Sequence, residues 1–255
     1  MKTKTRLKRG WRIALWTVAA LALAMLSLIA VLTVKGYNMY REAIAEKPIS
    51  TILTDIESRP GEYIYRDELP EMYYDAVITA EDRRFETHNG IDPIAIARAL
   101  LVDIKTLSFA EGGSTITQQL AKNELFTQQK HLERKFAEIF AAHAIEQYYT
   151  KDQIFEMYVN SIYFGSGYYG ISNASLGYFE LPASELTDSM AVFLAGLPNA
   201  PSIYSPDNSL YLAYRRMTVV VQRMINYDVI TVQTADQLMA ESFSFQFLIH
   251  PENAA

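Results

Sequence analysis

The sequence contains no cysteine. That excludes a disulfide framework, thiolate nucleophiles and zinc sites built on cysteine sulfur. Acidic residues are missing from residues 1–35, where seven lysines and arginines stand alone. The rest of the chain sets 16 basic residues against 29 acidic ones. A region this acidic is a poor general binder of nucleic acid and is repelled by an anionic membrane surface. An anionic ligand must therefore be met by a local basic cluster. Strand signals are few, and no internal repeat or low-complexity tract interrupts the chain. What is plentiful is apolar residues, half of the 255, with 17 tyrosines and 12 phenylalanines among the aromatics. About 220 residues beyond the N-terminal segment suffice for one large domain or two lobes sharing a core.

Residues 13–34 read IALWTVAALALAMLSLIAVLTV, an uncharged run of 22. As a helix it spans roughly 33 Å, enough for the hydrocarbon core of a bilayer. Six of the seven basic residues precede it and Lys35 follows. The positive-inside rule then puts residues 1–12 in the cytoplasm as a basic tail and the remainder outside. Ala22-Leu23-Ala24 has the small-x-small form of a cleavage site, but cleavage there would leave an apolar stub and the run is long for a signal peptide. The reading is an uncleaved signal anchor.

Residues 35–70 read as a connector, punctuated by Pro48, Pro60-Gly61 and Pro70, with Glu62-Tyr63-Ile64-Tyr65 as a short extended piece. From 71 to 245 the pattern is that of a mainly α domain. Helical spacing holds over 114–124 and 131–148 and restarts at Thr150-Lys151-Asp152. Another helix opens near Ala183-Ser184-Glu185 and ends near Pro198, and a last pair occupies about 208–241. Gly165, Gly167 and Gly170 mark a turn among tyrosines, read as a packing turn rather than a ligand site.

Five stretches carry candidate chemistry. Glu81-Asp82-Arg83-Arg84-Phe85-Glu86-Thr87-His88-Asn89-Gly90 is dense in ionisable groups and ends in a glycine; alone it is also a charged helix end with Gly90 as C-cap. In Gly112-Gly113-Ser114-Thr115-Ile116-Thr117-Gln118-Gln119-Leu120-Ala121-Lys122-Asn123, Ser114, Gln118 and Lys122 are spaced to share one helix face, with Thr115 and Gln119 beside them. Such a stripe offers donors of several lengths and one cation, suited to a sugar and a phosphate; alone it equally fits a solvated face. Arg134 and Glu138, with Lys135 between, form an i,i+4 pair that is ordinarily a surface pair. Lys151 to Asn160 sets Glu156 and Asn160 on one face. Gly165 to Ile171 is the glycine-rich turn.

In this order the five stretches resemble the motifs of glycosyltransferase family 51, the peptidoglycan glycosyltransferase module found alone in monofunctional transglycosylases and fused to a transpeptidase in class A penicillin-binding proteins. The pattern Glu-Asp-x-x-Phe-x-x-His-x-Gly is met by Glu81 to Gly90, and Gly-x-Ser-Thr-Ile-x-Gln-Gln-Leu-x-Lys-Asn by Gly112 to Asn123. Arg134, Lys135 and Glu138 meet a third pattern, and Lys151, Ile154, Glu156, Tyr158 and Asn160 a fourth. With Ala-Gly-Leu-Pro-Asn-Ala-Pro at 195–201, the likeness covers about residues 60–230. Three positions depart from it. Lys130 stands where the family usually has an arginine, keeping the charge but losing the planar fork, and Ser166 and Glu180 stand where basic residues are common. As given, the chain stops at 255, which matches the monofunctional form.

The resemblance implies a lysozyme-like, two-lobed helical domain, a globular head with a smaller membrane-associated jaw around Leu100 to Phe109. It implies polymerisation of lipid II in the bacterial cytoplasmic membrane, by inverting transfer with release of undecaprenyl pyrophosphate. Glu81 would be the base that takes the acceptor's proton, with Arg83 and Arg84 as charged neighbours. Glu138 is the second family carboxylate, orienting cations or donor. Substrate contacts fall to Asp82, Arg84, Phe85, His88, Gly113, Ser114, Thr115, Gln118, Gln119, Lys122, Asn123, Lys130, Arg134, Lys135 and Asn160. A divalent cation, Mg2+ or Mn2+, is allowed as a bridge on the donor pyrophosphate, with no protein ligand assigned. Partners implied are lipid II, the nascent glycan chain, the membrane and transpeptidases of the cell wall, and no nucleic acid. The competing readings are a catalytically weak scaffold of cell-wall assembly and a lysozyme-like enzyme that cleaves peptidoglycan.

Overall fold

The computed structural model describes residues 2–106, 112–126 and 132–249. The chain is almost wholly helical. Helix α1 spans Lys2–Glu46, α2 Ile52–Glu57, α3 Glu71–Glu81, α4 Pro93–Thr106, α5 Ile116–Leu125, α6 Leu132–Tyr148 and α7 Lys151–Ser161. A hairpin of β1 (Tyr163–Gly165) and β2 (Tyr168–Tyr169) follows. Then come α8 (Ile171–Phe179), α9 (Asp188–Gly196), α10 (Pro201–Tyr204), α11 (Pro206–Asn226) and α12 (Val232–Ile249). The two strands pair antiparallel and make the one sheet among the described residues.

The helix starts are written in the sequence. Thr115 and Thr150 each cap their helix by accepting from the backbone N–H three residues on, and Gln118 and Gln153 reach back to the cap's own N–H. These are reciprocal capping boxes, which satisfy donors that a helix leaves unpaired. Thr187 caps α9 in the same sense. At α4, Asp92 Oδ1 accepts from Ile94 N and Ala95 N at 2.8 Å each.

Helix α9 is the centre of the domain. Every residue from Ser189 to Gly196 is buried, as expected of a helix apolar on all sides. It packs against α3, α11 and α12, while α5 packs against α6 and α7. Phe193 of α9 stacks edge-on against Phe179 and Tyr214. The expected mainly α domain is thus present.

Beyond the apolar run of 13–34, α1 continues to Glu46, and Ala14–Glu46 is long and apolar enough to cross a membrane. The stretch from 35 to 70, read as a connector, packs on the domain. Tyr40 packs on the core, and Ile52, Ile56, Ile64 and Leu69 are buried in it. Glu124 of α5 is held by Lys47 at 3.0 Å and Arg59 at 2.5 Å, so charge as well as apolar area fixes this segment. The extended piece at 62–65 pairs with side chains rather than a strand: Asn160 Oδ1 accepts from Ile64 N and Asn160 Nδ2 donates to Ile64 O.

The glycine-rich turn is the hairpin loop. Ser166 and Gly167 adopt φ of 52° and 86°, the left-handed pair that a tight two-residue loop needs. Glu180 takes a left-handed φ of 57° to end α8. Both departures from the family pattern therefore sit at chain turns. The segment compared with a jaw begins on α4, where Ile94 and Leu101 are exposed; residues 107–111 lie outside the described residues.

Because Phe193 is fully buried at the centre, Phe193→Ala should cost about 3–5 kcal/mol of stability. Thermal unfolding of the purified variant measures it; a loss under about 1 kcal/mol would mean that α9 is not the core.

Candidate active site

Helix α3 stops at Glu81 because Asp82 turns away into extended backbone, φ −156° and ψ 73°. The turn sends two adjacent carboxylates in different directions. Asp82 goes inward, where it is 6% exposed. Its oxygens meet His88 Nε2 at 2.9 and 3.0 Å, and Oδ2 accepts from Ile116 N at 2.9 Å. The first N–H of α5 is an orphan donor at the positive end of a helix, so a carboxylate there is doubly favoured. Beneath it, Glu146 Oε1 accepts from Thr117 Oγ1 at 2.6 Å and Lys151 Nζ at 2.7 Å, and lies 4.0 Å from His88 Nδ1.

Glu81 turns instead into a cavity of about 320 Å³. Oε2 accepts from Gln119 Nε2 at 2.9 Å. Oε1 is buried without a hydrogen-bond partner, and Arg216 Nη2, likewise buried and unpartnered, stands 3.7 Å away. Burial pushes the Arg216 guanidinium down from its ordinary value and the Glu81 charge pushes back. The cavity is lined by Arg83, Arg98, Lys122, Lys135, Arg216 and Arg223 against Glu81, Asp82 and Glu138, with Ser114, Gln118, Gln119, Asn199 and Tyr227 among its other walls. Six cations face three carboxylates. In a domain that is acidic outside its N-terminal segment, this is the local basic cluster an anionic ligand requires.

Glu138 anchors the other wall. It is 2% exposed, pairs with Arg134 Nε at 3.1 Å, and accepts from Lys135 Nζ at 2.8 Å. Lys135 Nζ also donates to Ser114 Oγ at 2.7 Å. The Arg134–Glu138 spacing thus marks a buried carboxylate with two cations, not the surface pair that spacing alone suggests. Lys122 makes no ion pair among the described residues and extends into the same space.

The structure brings together Glu81, Glu138, Ser114, Gln118, Gln119, Lys122 and Lys135, with Asp82 at the edge. Ser114 precedes α5 rather than lying on it, yet still reaches the cleft. Thr115 and Gly113 support it from behind: Thr115 Oγ1 donates to Gly90 O at 2.7 Å, and a Cβ on Gly113 would meet Ile96 Cα at 3.2 Å.

Other candidates do not line this cavity. Phe85 is fully buried core, and His88 is enclosed by Asp82 and Glu146. Arg84 is paired with Asp92 through both Nε and Nη2, and with Thr115 lines a smaller adjoining pocket that shares Glu81, Asp82, Arg98 and Ser114 with the cavity. Asn123 is exposed outside the cavity lining. Asn160 holds the backbone of Ile64, at a site its amide matches as a strand would. Arg134 backs the wall through Glu138 without lining the cavity. Lys130 lies outside the described residues. The charged neighbours expected for Glu81 are also reassigned. Arg83 stacks on the Tyr227 ring at 3.9 Å, Arg84 serves Asp92, and Arg216 faces the carboxylate.

Sequence reasoning missed Arg98, Arg216, Arg223, Asn199 and Tyr227 as cleft residues. One signal was available on α11. Arg216 falls on the same buried stripe as Ala213, Met217, Val220 and Met224, and an arginine on a buried helix face calls for a partner.

Among the described residues no three His, Asp or Glu converge as metal ligands.

The Arg84 guanidinium and two backbone N–H groups hold the Asp92 carboxyl down to about 2. A lowered carboxylate value stabilises the fold above its unfolded value, and this contribution disappears as pH falls through the folded one. Asp92→Asn should therefore flatten the decline of stability between about pH 4 and pH 2. Chemical denaturation across that window checks it; a variant as acid-sensitive as the parent would contradict the assignment.

The family model described as Transglycosylase matches residues 46–225. Penicillin-binding protein 1A of Aquifex aeolicus (strain VF5) is 42% identical over 175 residues, 69% of this chain and 24% of that protein. Penicillin-binding protein 1A of Neisseria flavescens is 39% identical over 185 residues, 72% of this chain and 23% of that one. The Escherichia coli (strain K12) protein of the same name is 36% identical over 230 residues, 83% and 27% of the two chains. This chain thus spans about a quarter of the length of these relatives. A solved structure of penicillin-binding protein 1A from Haemophilus influenzae is 22% identical with a TM-score of 0.42, covering 70% of this chain and 17% of that one, too slight a likeness to bear on the site. The matched region contains every residue lining the cavity except Tyr227, and the chain belongs to the transglycosylase family.

Proposed function

We propose that the chain is a peptidoglycan glycosyltransferase that joins lipid II units into glycan strands at the outer face of a bacterial cytoplasmic membrane. The observation that carries this is the buried carboxylate of Glu81, one of whose oxygens makes no hydrogen bond, inside a cation-lined cleft.

The acceptor's 4-hydroxyl is a weak nucleophile and needs a base as it attacks the donor's anomeric carbon. Gln119 fixes Glu81 through Oε2 and leaves Oε1 to receive that proton. As the new carbon–oxygen bond forms, the bond from the anomeric carbon to the pyrophosphate breaks, and undecaprenyl pyrophosphate leaves with the electron pair. Pyrophosphate departs readily once its charge is met. Lys122 and Lys135 stand ready for that charge, and Glu138 with Ser114 holds the Lys135 ammonium in place. Gln118 and Ser114 offer donors to sugar and phosphate oxygens.

A divalent cation on the pyrophosphate remains a separate proposal. Asp82 and Glu138 are both engaged by protein donors, so Mg2+ or Mn2+ would rest on phosphate oxygens and water. The orientation, with the N-terminus inside, is supported by the charge asymmetry about residues 13–34. The exposed apolar residues of α4 suit contact with lipid tails, and transpeptidases that crosslink the strands are the natural protein partners. Nothing observed favours the scaffold or hydrolase readings over this one.

Purified protein incubated with labelled lipid II should yield polymer, and Glu81→Gln should lower the rate by about 10²–10⁴-fold. Unchanged polymer from the variant would remove Glu81 as the base.

A further inference from the structure

Glycine in the interior of a helix is destabilising relative to alanine, so a retained one calls for a reason. Gly36 sits inside α1, directly after the apolar run, and is buried. A Cβ at this position would stand 2.4 Å from Phe136 Cβ, 2.9 Å from Ala137 N and 2.9 Å from Glu133 O, all on α6. Two of those three neighbours are backbone, which cannot rotate away. At Gly36 the main chain of α1 lies against the main chain of α6 and the Phe136 Cβ.

The contact is fastened on both sides. Lys35 Nζ meets Glu133 Oε1 at 3.2 Å, and Tyr37 packs edge-on against Phe140 at 5.3 Å, with Tyr40 beyond at 6.2 Å. Helix α1 is unbroken through this region, so the membrane-crossing part and the docked part move together. Helix α6 is also the one that carries Lys135 and Glu138 to the cleft.

Lys35 is the first charge after the uncharged run and marks the edge of the hydrocarbon layer. Its partner Glu133 lies five residues before Glu138, about 8 Å of helix rise. The ion pair at the end of the apolar run and the cleft cation Lys135 with its partner Glu138 thus sit within two turns of one helix. We infer that Gly36 is a positioning residue: by letting α1 lie against α6 it fixes the height of the cleft cations above the bilayer, where the pyrophosphate of a membrane-borne substrate lies. The inference rests on the glycosyltransferase reading and adds to it a residue, Gly36, outside every motif.

The test compares one substrate in two media. Full-length chain and its Gly36→Ala and Gly36→Leu variants are assayed with fluorescent lipid II, once reconstituted in phosphatidylglycerol vesicles and once in nonionic detergent micelles. A bilayer fixes the height of the pyrophosphate, whereas a micelle lets the substrate adjust. Alanine favours helix over glycine, so a loss in Gly36→Ala cannot come from melting α1. The expected result is a fall of about tenfold or more in the vesicle rate, since a shift of about 1 Å far from the chemistry can cost that much. The micelle rate should stay within about twofold of the parent. Equal rates of variant and parent in vesicles overturn the inference, and so do equal losses in both media, which would assign Gly36 to domain stability alone. A parent chain that makes no polymer in either medium instead overturns the glycosyltransferase reading, and this inference with it.

Discussion

The buried carboxylate of Asp82 holds the site together. One side chain joins the end of α3, the loop bearing His88 and the first N–H of α5. Each of these would otherwise be a polar group in the interior without a partner, an arrangement that costs several kcal/mol. Asp82 is fixed by these partners at the cavity wall, and the adjacent Glu81 carboxylate enters the same cleft. Glu146, Lys151 and Thr117 complete the polar floor beneath Asp82.

Opposite this floor the cleft draws on helices far apart in sequence. Helix α6 contributes Glu138 and Lys135, and α11 contributes Arg216 and Arg223. Arg216 also donates through Nε to Gly196 O at 3.2 Å, and Arg223 donates to Ala80 O at 2.9 Å. Both arginines are therefore fixed by backbone of the core helices and present their remaining donors to the cavity. Rigid cations aimed at one space need little reorganisation when charge develops there.

Much of this could be read from the chain alone. Helix starts near 114 and at Thr150 were legible from the spacing of the sequence, and the structure adds that Thr115 and Thr150 close them with local capping chemistry. Glu81, Glu138 and the Ser114–Gln118–Lys122 set were legible because their motifs are long and specific. Other features needed the third dimension. Phe85 and His88 belong to the motif of Glu81, and Asn160 to the Lys151–Asn160 motif, yet they serve packing and backbone pairing, a distinction that no spacing encodes. Arg216 lies 135 residues from Glu81, and only folding makes them neighbours. The segment after the apolar run looked like a connector because its buried residues, Ile52, Ile56, Ile64 and Leu69, are separated by proline and glycine and follow no single period.

Helix α5 is gripped at both ends by different means. Asp82 takes its first N–H, and Glu124 in its last turn is held between Lys47 and Arg59. Asp82 belongs to the cavity wall as well, whereas Glu124 does not. Helical rise sets Gln118 and Lys122 about 6 Å apart along the axis. A sugar chain lying beside the helix would meet two donors at that fixed spacing.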